Sequence, residues 1–355
     1  MKEEKAIRSR FDLRKLVRPC IAQLKPYRSA RDEYSTPGGE MIFLDANENP
    51  YGDGINRYPD PYQNALKSVL ASLKGVRPEQ LIIGNGSDEV LDLLFRVFCE
   101  PGDANVITLP PTYGMYGVLA GVNNVEVREV PLDDQWQPRT DEILETVDDQ
   151  TRMIFFCSPN NPTGNLMQSN KVKEILQAFA GIVVIDEAYI DFTSSDSWSS
   201  MLDDHPNLVV VQTLSKAYGL AGARVGFAIA SEAIISILNK IKPPYNVNAL
   251  SQEKALETLR DPEDAKRFLA TVKEQKFRLI DGFKALDYVE QVFESEANFI
   301  LFRVDDAQRR YDELLAKGIV VRKRHGLPGC DNTLRVSIGT ITENEVLLTV
   351  LNQLN

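Results

Sequence analysis

The chain has 355 residues, which exceeds what one hydrophobic core usually organises and predicts two domains. Its 43% hydrophobic and 26% charged residues are typical of a folded globular protein, and a net charge of −11 disfavours nucleic acid and anionic membranes as partners. Four separated cysteines without a CxxC pair and only two histidines disfavour a zinc site, any other metal site and a disulfide framework.

Strand-like and helix-like segments alternate from about residue 81 to residue 230, which predicts an α/β fold with a mainly parallel sheet covered by helices on both faces. Apolar runs predict seven strands, at residues 81–83, 106–109, 125–130, 153–156, 183–185, 209–211 and 225–229. No apolar run reaches the roughly 18 residues of a membrane span. The first residues lack the apolar core of a signal peptide, so we expect a cytoplasmic protein.

After residue 244 the pattern changes to longer helices and shorter strands, which is typical of a smaller α+β domain. Helices are predicted at residues 249–260, 264–286, 307–317 and from 343 onward, and strands at 289–293, 298–304, 319–322 and 333–338. We predict a large domain at residues 46–245 and a small C-terminal domain at 246–355. Residues 1–45 are predicted to form an N-terminal arm that contributes to the small domain.

Gly86, Ser87 and Asp88 occupy a predicted turn between the first strand and an amphipathic helix. Such a turn points backbone N–H groups and the positive end of a helix at an anion. The segment lacks the third glycine of a GxGxxG motif and the lysine of a Walker motif, so neither a dinucleotide nor an ATP site is supported. The alternative is an ordinary helix N-cap.

Asp186, Tyr189 and Lys216 supply a carboxylate, a phenol and an amine that one cofactor, pyridoxal 5′-phosphate, needs together. Asp186 ends a buried apolar run, where a carboxylate can keep a pyridine nitrogen protonated. Tyr189 can hold the 3′ oxygen of the ring. Lys216 can form the Schiff base with the cofactor and later act as base on the substrate's Cα proton.

Other polar residues along the chain complete this cofactor site. Arg224 and the hydroxyls of Thr213 and Ser215 suit the 5′-phosphate, because guanidinium groups bind phosphate oxygens in pairs. Tyr113 follows a strand and can stack on the pyridine, while Asn161 lies in a rigid proline-rich turn and can bind the 3′ oxygen. Taken singly, each residue also has an ordinary structural explanation, such as a core tyrosine or a turn asparagine. The ordered set favours the cofactor site.

These residues lie in strings that resemble the fold-type I pyridoxal-phosphate aminotransferases, and more closely the histidinol-phosphate aminotransferase family. The strings are LDANENPYG at 44–52, RYPDP at 57–61, GSDE at 86–89, PTYGMY at 111–116, CSPNNPTG at 157–164, DEAY at 186–189, TLSK at 213–216, GARVG at 222–226 and LRVSIG at 334–339. They follow the family's order from about residue 20 to the end of the chain.

The resemblance implies an aspartate-aminotransferase-like fold with Lys216 as the Schiff-base lysine and Asp186 as the partner of the pyridine nitrogen. It implies that Tyr58 reaches the phosphate of the neighbouring subunit's cofactor, and hence a homodimer with composite active sites. The substrate-binding residues that it implies are Tyr27, Asn47, Arg322 and Arg335. Arg322 and Arg335 could instead form surface ion pairs, but strand alternation favours a binding role for Arg335.

The resemblance also implies a reaction between small-molecule substrates. Histidinol phosphate and 2-oxoglutarate would be converted to imidazole-acetol phosphate and glutamate, a step of histidine biosynthesis. An aromatic amino acid aminotransferase and a threonine-phosphate decarboxylase are alternatives, because they share the lysine-centred site. A non-catalytic module that senses the cofactor is an alternative of another class, although the chain shows no helix-turn-helix extension.

Overall fold

A seven-stranded sheet forms the centre of the computed structural model, which describes residues 11–27, 42–52 and 54–354. Its strands are β1 (Leu81–Asn85), β2 (Asn105–Thr108), β3 (Glu126–Glu129), β4 (Thr151–Cys157), β5 (Ile182–Asp186), β6 (Leu208–Thr213) and β7 (Val225–Ala230). They lie in the order β1-β7-β6-β5-β4-β2-β3. Only β7 runs antiparallel to its neighbours in this sheet, so the predicted seven-stranded, mainly parallel sheet is confirmed.

Helices cover both faces of this sheet, which is why its central strands are apolar throughout. Val183 and Ile185 of β5 point into one buried cluster, and Val184 points into the other. The covering helices are α3 (Asn64–Lys74), α4 (Ser87–Phe98), α5 (Met115–Val122), α6 (Thr140–Thr146), α7 (Ser169–Ala178), α8 (Glu232–Ile241) and α9 (Ala249–Arg260).

Two short N-terminal helices, α1 (Leu13–Leu16) and α2 (Pro19–Gln23), pack beside the larger sheet. Val17 between them is buried in the cluster under α4 and α8, and the Arg18 side chain binds Glu100. This part of the N-terminal segment therefore contacts the layer around the large sheet. The predicted domain boundaries near residues 45 and 245 stay predictions.

A second sheet of four antiparallel strands follows in the order β10-β11-β9-β8. Its strands are β8 (Val289–Val292), β9 (Phe299–Val304), β10 (Arg322–Lys323) and β11 (Thr333–Ser337), and its helices are α10 (Glu263–Lys284), α11 (Ala307–Ala316) and α12 (Ile341–Leu351). The strand predicted at 319–322 begins later than expected, because Ile319 and Val321 pack on the core of this unit as a loop after α11. Within the described ranges, no helix is both long and apolar enough to cross a bilayer.

Candidate active site

The carboxyl ends of three neighbouring parallel strands form the floor of the candidate site. β4 ends at Cys157, β5 at Asp186 and β6 at Thr213, and Cys157 and Asp186 are direct neighbours across the two strands. Open α/β sheets place their ligands at this edge. A cavity of about 140 Å³ lies here, and we call it the central cavity.

The central cavity brings together most of the residues that the sequence predicts for the cofactor. Its lining consists of Ser87, Asp88, Tyr113, Cys157, Asn161, Asp186, Ala188, Tyr189, Thr213, Ser215, Lys216, Ala221 and Arg224. Of the predicted cofactor-binding residues, Gly86 and Tyr58 are absent from this lining. The individual roles of the residues stay predictions.

Asp186 is a buried carboxylate, only 3% exposed, with a hydrogen bond to each oxygen. The Tyr116 hydroxyl donates to Oδ2 at 2.9 Å, and the Ala188 N–H donates to Oδ1 at 3.1 Å. Burial raises the pKa of Asp186 to about 6, and these two hydrogen bonds oppose the rise. The carboxylate therefore stays mainly ionised at neutral pH in a poorly solvated place.

Tyr116 is a residue of the site that the sequence analysis did not single out. Its side chain is fully buried, and its ring stacks on Phe155 of β4 at 4.9 Å between centroids. Burial raises the pKa of its phenol well above the ordinary value, so the hydroxyl remains a donor to Asp186. The only sequence signal was its place three residues after Tyr113 in the PTYGMY string.

Lys216 and Tyr189 face one another across the central cavity. The Lys216 Nζ lies 5.8 Å from the centre of the Tyr189 ring. Burial lowers the pKa of Lys216, and the positive charge of Arg335 lowers it further. Burial raises the pKa of Tyr189, so its phenol is protonated at neutral pH. The Tyr189 ring also meets Phe299 of β9 edge to face at 5.1 Å, and this contact brings the second sheet against the site.

The first turn of α4 and the start of β7 build the end of the site suited to an anion. Gly226 must be glycine, because a Cβ there would lie 2.1 Å from the backbone nitrogen of Ser87. Gly86 has φ +85°, and a Cβ on it would lie 2.6 Å from an Arg224 nitrogen. Arg224 itself has φ +54°, and its guanidinium lies 3.5 Å from Asp88 Oδ2. Free helix N–H groups and a guanidinium are thus held together.

The Thr213 hydroxyl holds the loop that carries the lysine. Thr213 Oγ1 donates to the Val225 carbonyl at 3.3 Å and accepts the Ser215 N–H at 3.1 Å. Elsewhere in the lining of the central cavity, the Tyr113 hydroxyl donates to Asp88 Oδ1 at 3.1 Å. Tyr113 is therefore held at the cavity wall, and burial together with Asp88 raises the pKa of its phenol.

Arg335 of β11 in the second sheet contacts Asn161, a residue that lines the central cavity. Its guanidinium donates to Asn161 Oδ1 and lies 5.1 Å from the centre of the Phe299 ring. Burial lowers the pKa of Arg335. Arg322 pairs with Arg335 across β10 and β11 and is exposed. Both arginines border a second cavity of about 720 Å³ between β11 and α12.

Besides Arg322, three predicted residues lie in other parts of the surface. Tyr58 and Asn47 border a different cavity of about 620 Å³, where Tyr58 is 51% exposed and stacks on Tyr245 at 4.5 Å. Tyr27 is 73% exposed. Their predicted roles are not tested by these positions. In the part of the chain that the structure describes, no group of three or more metal-ligating side chains occurs.

Comparisons with known proteins agree with this architecture. The family model for aminotransferase class I and II matches residues 38–351. The histidinol-phosphate aminotransferase of Flavobacterium johnsoniae is 55% identical over 97% of this chain and 99% of its own length.

Solved structures show the same fold at lower sequence identity. The histidinol-phosphate aminotransferase of Clostridium acetobutylicum has a TM-score of 0.77 and 24% identity, over 84% of this chain and 90% of that one. The enzyme of the same name from Sinorhizobium meliloti, solved in complex with pyridoxal-5′-phosphate, has a TM-score of 0.76 and 24% identity, over 85% and 84% of the two chains. From the family match and the relative of 55% identity, the chain belongs to the class I and II aminotransferases, and among them to the histidinol-phosphate aminotransferase family.

Proposed function

We propose that this chain is a pyridoxal-phosphate-dependent aminotransferase that interconverts histidinol phosphate and 2-oxoglutarate with imidazole-acetol phosphate and glutamate. The observation that carries the proposal is the central cavity, which combines the amine of Lys216 with the buried carboxylate of Asp186 and the guanidinium of Arg224. The substrate assignment is supported by a relative of that name with 55% identity over nearly the whole chain.

The residues of the central cavity fit the polar groups of pyridoxal phosphate. The absence of a side chain at Gly86 and Gly226 lets Arg224 and the Ser87 N–H lie close together at the first turn of α4, where both could donate to a phosphate. Asn161 accepts from Arg335 through its carbonyl oxygen, and its amide hydrogens make no hydrogen bond within the described ranges. They are therefore available to an oxygen of the cofactor ring.

When bound, pyridoxal phosphate supplies an aldehyde that condenses with amines and a ring that accepts the electron pair released at the substrate's Cα. Asp186 would accept a hydrogen bond from the ring nitrogen, because its carboxylate retains free lone pairs beside the bonds from Tyr116 and Ala188. Tyr189 would donate its phenolic hydrogen to the 3′ oxygen, since its raised pKa keeps it protonated.

Lys216 would act both as nucleophile and as base. Its lowered pKa increases the fraction of neutral amine at neutral pH, and a neutral amine is needed for either role. The substrate's Cα proton would move to Nζ of Lys216. Tyr189, whose ring lies beside Nζ of Lys216, is itself buried against Phe299.

The two half-reactions require one pocket to receive a phosphate ester and a dicarboxylate in turn. Arg335 and Arg322 suit this task, because a guanidinium binds either anion through paired hydrogen bonds. Of the two, Arg335 lies closer to the reacting groups, since it contacts Asn161 of the central cavity.

The homodimer and the cytoplasmic location belong to the same proposal. The exposed ring of Tyr58 supports a position that faces a second subunit, as the composite site requires. In that position Tyr58 would complete the phosphate site of the partner. This would explain why Tyr58 lies outside the central cavity of its own chain.

The test is a comparison of wild-type enzyme with Lys216→Ala, using Lys317→Ala on the exposed end of α11 as the matched control. We expect the wild type and the control to bind the cofactor with a visible absorbance band and to form glutamate from histidinol phosphate and 2-oxoglutarate. Lys216→Ala should lose both properties. Retained turnover in Lys216→Ala would contradict the catalytic assignment.

The substrate is tested by the rates with histidinol phosphate, phenylalanine, tyrosine and threonine phosphate. Histidinol phosphate should give the highest kcat/KM. Faster transamination of an aromatic amino acid, or release of carbon dioxide from threonine phosphate, would replace the proposed reaction by one of the alternatives.

A further inference from the structure

Three arginines share one side of the second sheet, and one of them, Arg324, has no role in the site described so far. Arg322 of β10 pairs directly with Arg335 of β11, and the Arg324 N–H donates to the Thr333 carbonyl at 2.9 Å, one step along the same ladder. Residues paired across two strands point to the same side, as do alternate residues along one strand. Arg324 therefore shares the side of Arg322 and Arg335.

This side of the sheet faces the central cavity. Arg335 reaches Asn161 from it, whereas the neighbouring Leu334 is buried in the core on the other side. Arg324 is also close enough to Tyr189 to affect its titration. Burial raises the pKa of Tyr189, and the charges of Arg335 and Arg324 oppose that rise.

Among the residues that the structure describes, none accepts a hydrogen bond from the Arg324 side chain. Its Nε is buried without a partner there, and the same holds for Nε of Arg335. Over the described ranges, neither these two guanidinium groups nor that of Arg322 lies in an ion pair with a carboxylate. Burial, together with the charges of Arg335 and Arg322, lowers the pKa of Arg324 to about 10. Buried donors and adjacent like charges without an acceptor are unfavourable unless an anion binds.

We propose that Arg324 is a third substrate-binding arginine, which contacts the phosphate of the phosphorylated substrate and favours this dianion over a carboxylate. A phosphate monoester offers three oxygens and nearly two charges, whereas a carboxylate offers two oxygens and one charge. A guanidinium beyond Arg322 and Arg335 thus adds more to phosphate binding than to carboxylate binding. The assignment rests on the proposed function, since it concerns the same site.

The experiment compares Arg324→Gln and Arg324→Lys with the wild type and with Lys323→Gln. Lys323 is the matched control, because it is exposed, points to the other side of the strand and carries the same charge. We expect Arg324→Gln to raise the KM for histidinol phosphate by about tenfold or more, as loss of a charged hydrogen bond does. The KM for glutamate should change by less than about threefold, and kcat should change little. The KM of Arg324→Lys for histidinol phosphate should lie between those of the wild type and Arg324→Gln. The KM of Lys323→Gln should match that of the wild type.

A second measurement does not require the proposed substrate. Inorganic phosphate should inhibit the wild type competitively against glutamate, and Arg324→Gln should weaken that inhibition. In one outcome, the wild type fails to convert histidinol phosphate while Arg324→Gln still weakens the inhibition by inorganic phosphate. That result would contradict the proposed reaction but support the role of Arg324 in phosphate binding. Equal rises in both KM values, or unchanged KM and phosphate inhibition, would overturn the role of Arg324. The visible absorbance of the bound cofactor reports whether each variant is folded. If Arg324→Gln does not fold, the same measurements are made with Arg324→Lys.

Discussion

Replacing Tyr116 by phenylalanine removes one hydroxyl and leaves the ring that stacks on Phe155. The lost group is the donor to Asp186 Oδ2 at 2.9 Å, and neither side chain can recruit bulk water because both are buried. The substitution therefore isolates the effect of one hydrogen bond on the carboxylate that faces the cofactor ring in the proposed mechanism.

The size of the effect follows from the charge of the acceptor. A hydrogen bond to an ionised group contributes about 1.5–3 kcal/mol, and about 1.4 kcal/mol corresponds to a tenfold change in rate. The bond from Tyr116 stabilises ionised Asp186, so its loss raises the pKa of Asp186 above its value of about 6. At neutral pH a larger fraction of Asp186 is then protonated. We expect kcat/KM to fall by about tenfold at neutral pH, and its acidic limb to move to higher pH.

The assay is the pH dependence of kcat/KM for histidinol phosphate from about pH 5 to about pH 9. The matched control is Tyr288→Phe, which removes a hydroxyl that donates to the Leu351 carbonyl at 2.7 Å, far from the site. Both variants should lose some stability, but only Tyr116→Phe should shift the profile. A Tyr116→Phe profile that coincides with the wild type would reduce Tyr116 to a packing role and refute the reasoning.

Two further predictions concern Gly226 and a buried acid. Gly226→Ala places a methyl group against the Ser87 nitrogen, so it should cost about 1–3 kcal/mol of unfolding free energy and weaken cofactor binding; Gly222→Ala, which meets open space, should change neither in thermal unfolding and cofactor titration. Burial raises the pKa of Glu187 to about 7. At pH values between the ordinary pKa of a glutamate and about 7, the folded state therefore binds more protons than the unfolded state. Unfolding free energy should fall as pH rises through about 7, by up to about 3 kcal/mol from this residue. In urea titrations at several pH values, Glu187→Gln should remove that slope, and an identical slope in both proteins would contradict the assignment.

Most of the fold is predictable from the sequence because its signals are local. The seven apolar runs of the large sheet are bounded by turn residues, and each run forms a strand within one or two residues of its predicted position. The antiparallel direction of β7 is not predictable in this way, since an apolar run carries no information about direction. The late start of β10 has a similar cause. Val321 is apolar because it packs on the core from a loop, and not because it belongs to a strand.

The candidate site is predictable where residues follow strands. Asp186 and Thr213 end β5 and β6, and parallel neighbours bring their ends to one edge. The roles of Tyr116 and Arg324 could not be predicted in this way, for two different reasons. Tyr116 is an interior residue of a helical turn, and its role depends on the distance from α5 to β5. Arg324 follows a two-residue strand. The side of the sheet to which its side chain points is known only once the pairing of β10 with β11 is known.

In the proposed mechanism, the junction of the two sheets would couple substrate binding to the chemistry of Lys216. The parallel edge supplies the amine, and the second sheet supplies Arg335, whose positive charge lowers the pKa of that amine after burial has lowered it. In the proposed mechanism, an anion bound to Arg335 would offset this charge and raise the pKa of Lys216. The amine would then be most readily neutral before substrate arrives, when it acts as a nucleophile. It would gain proton affinity once the substrate is in place, when it accepts the Cα proton.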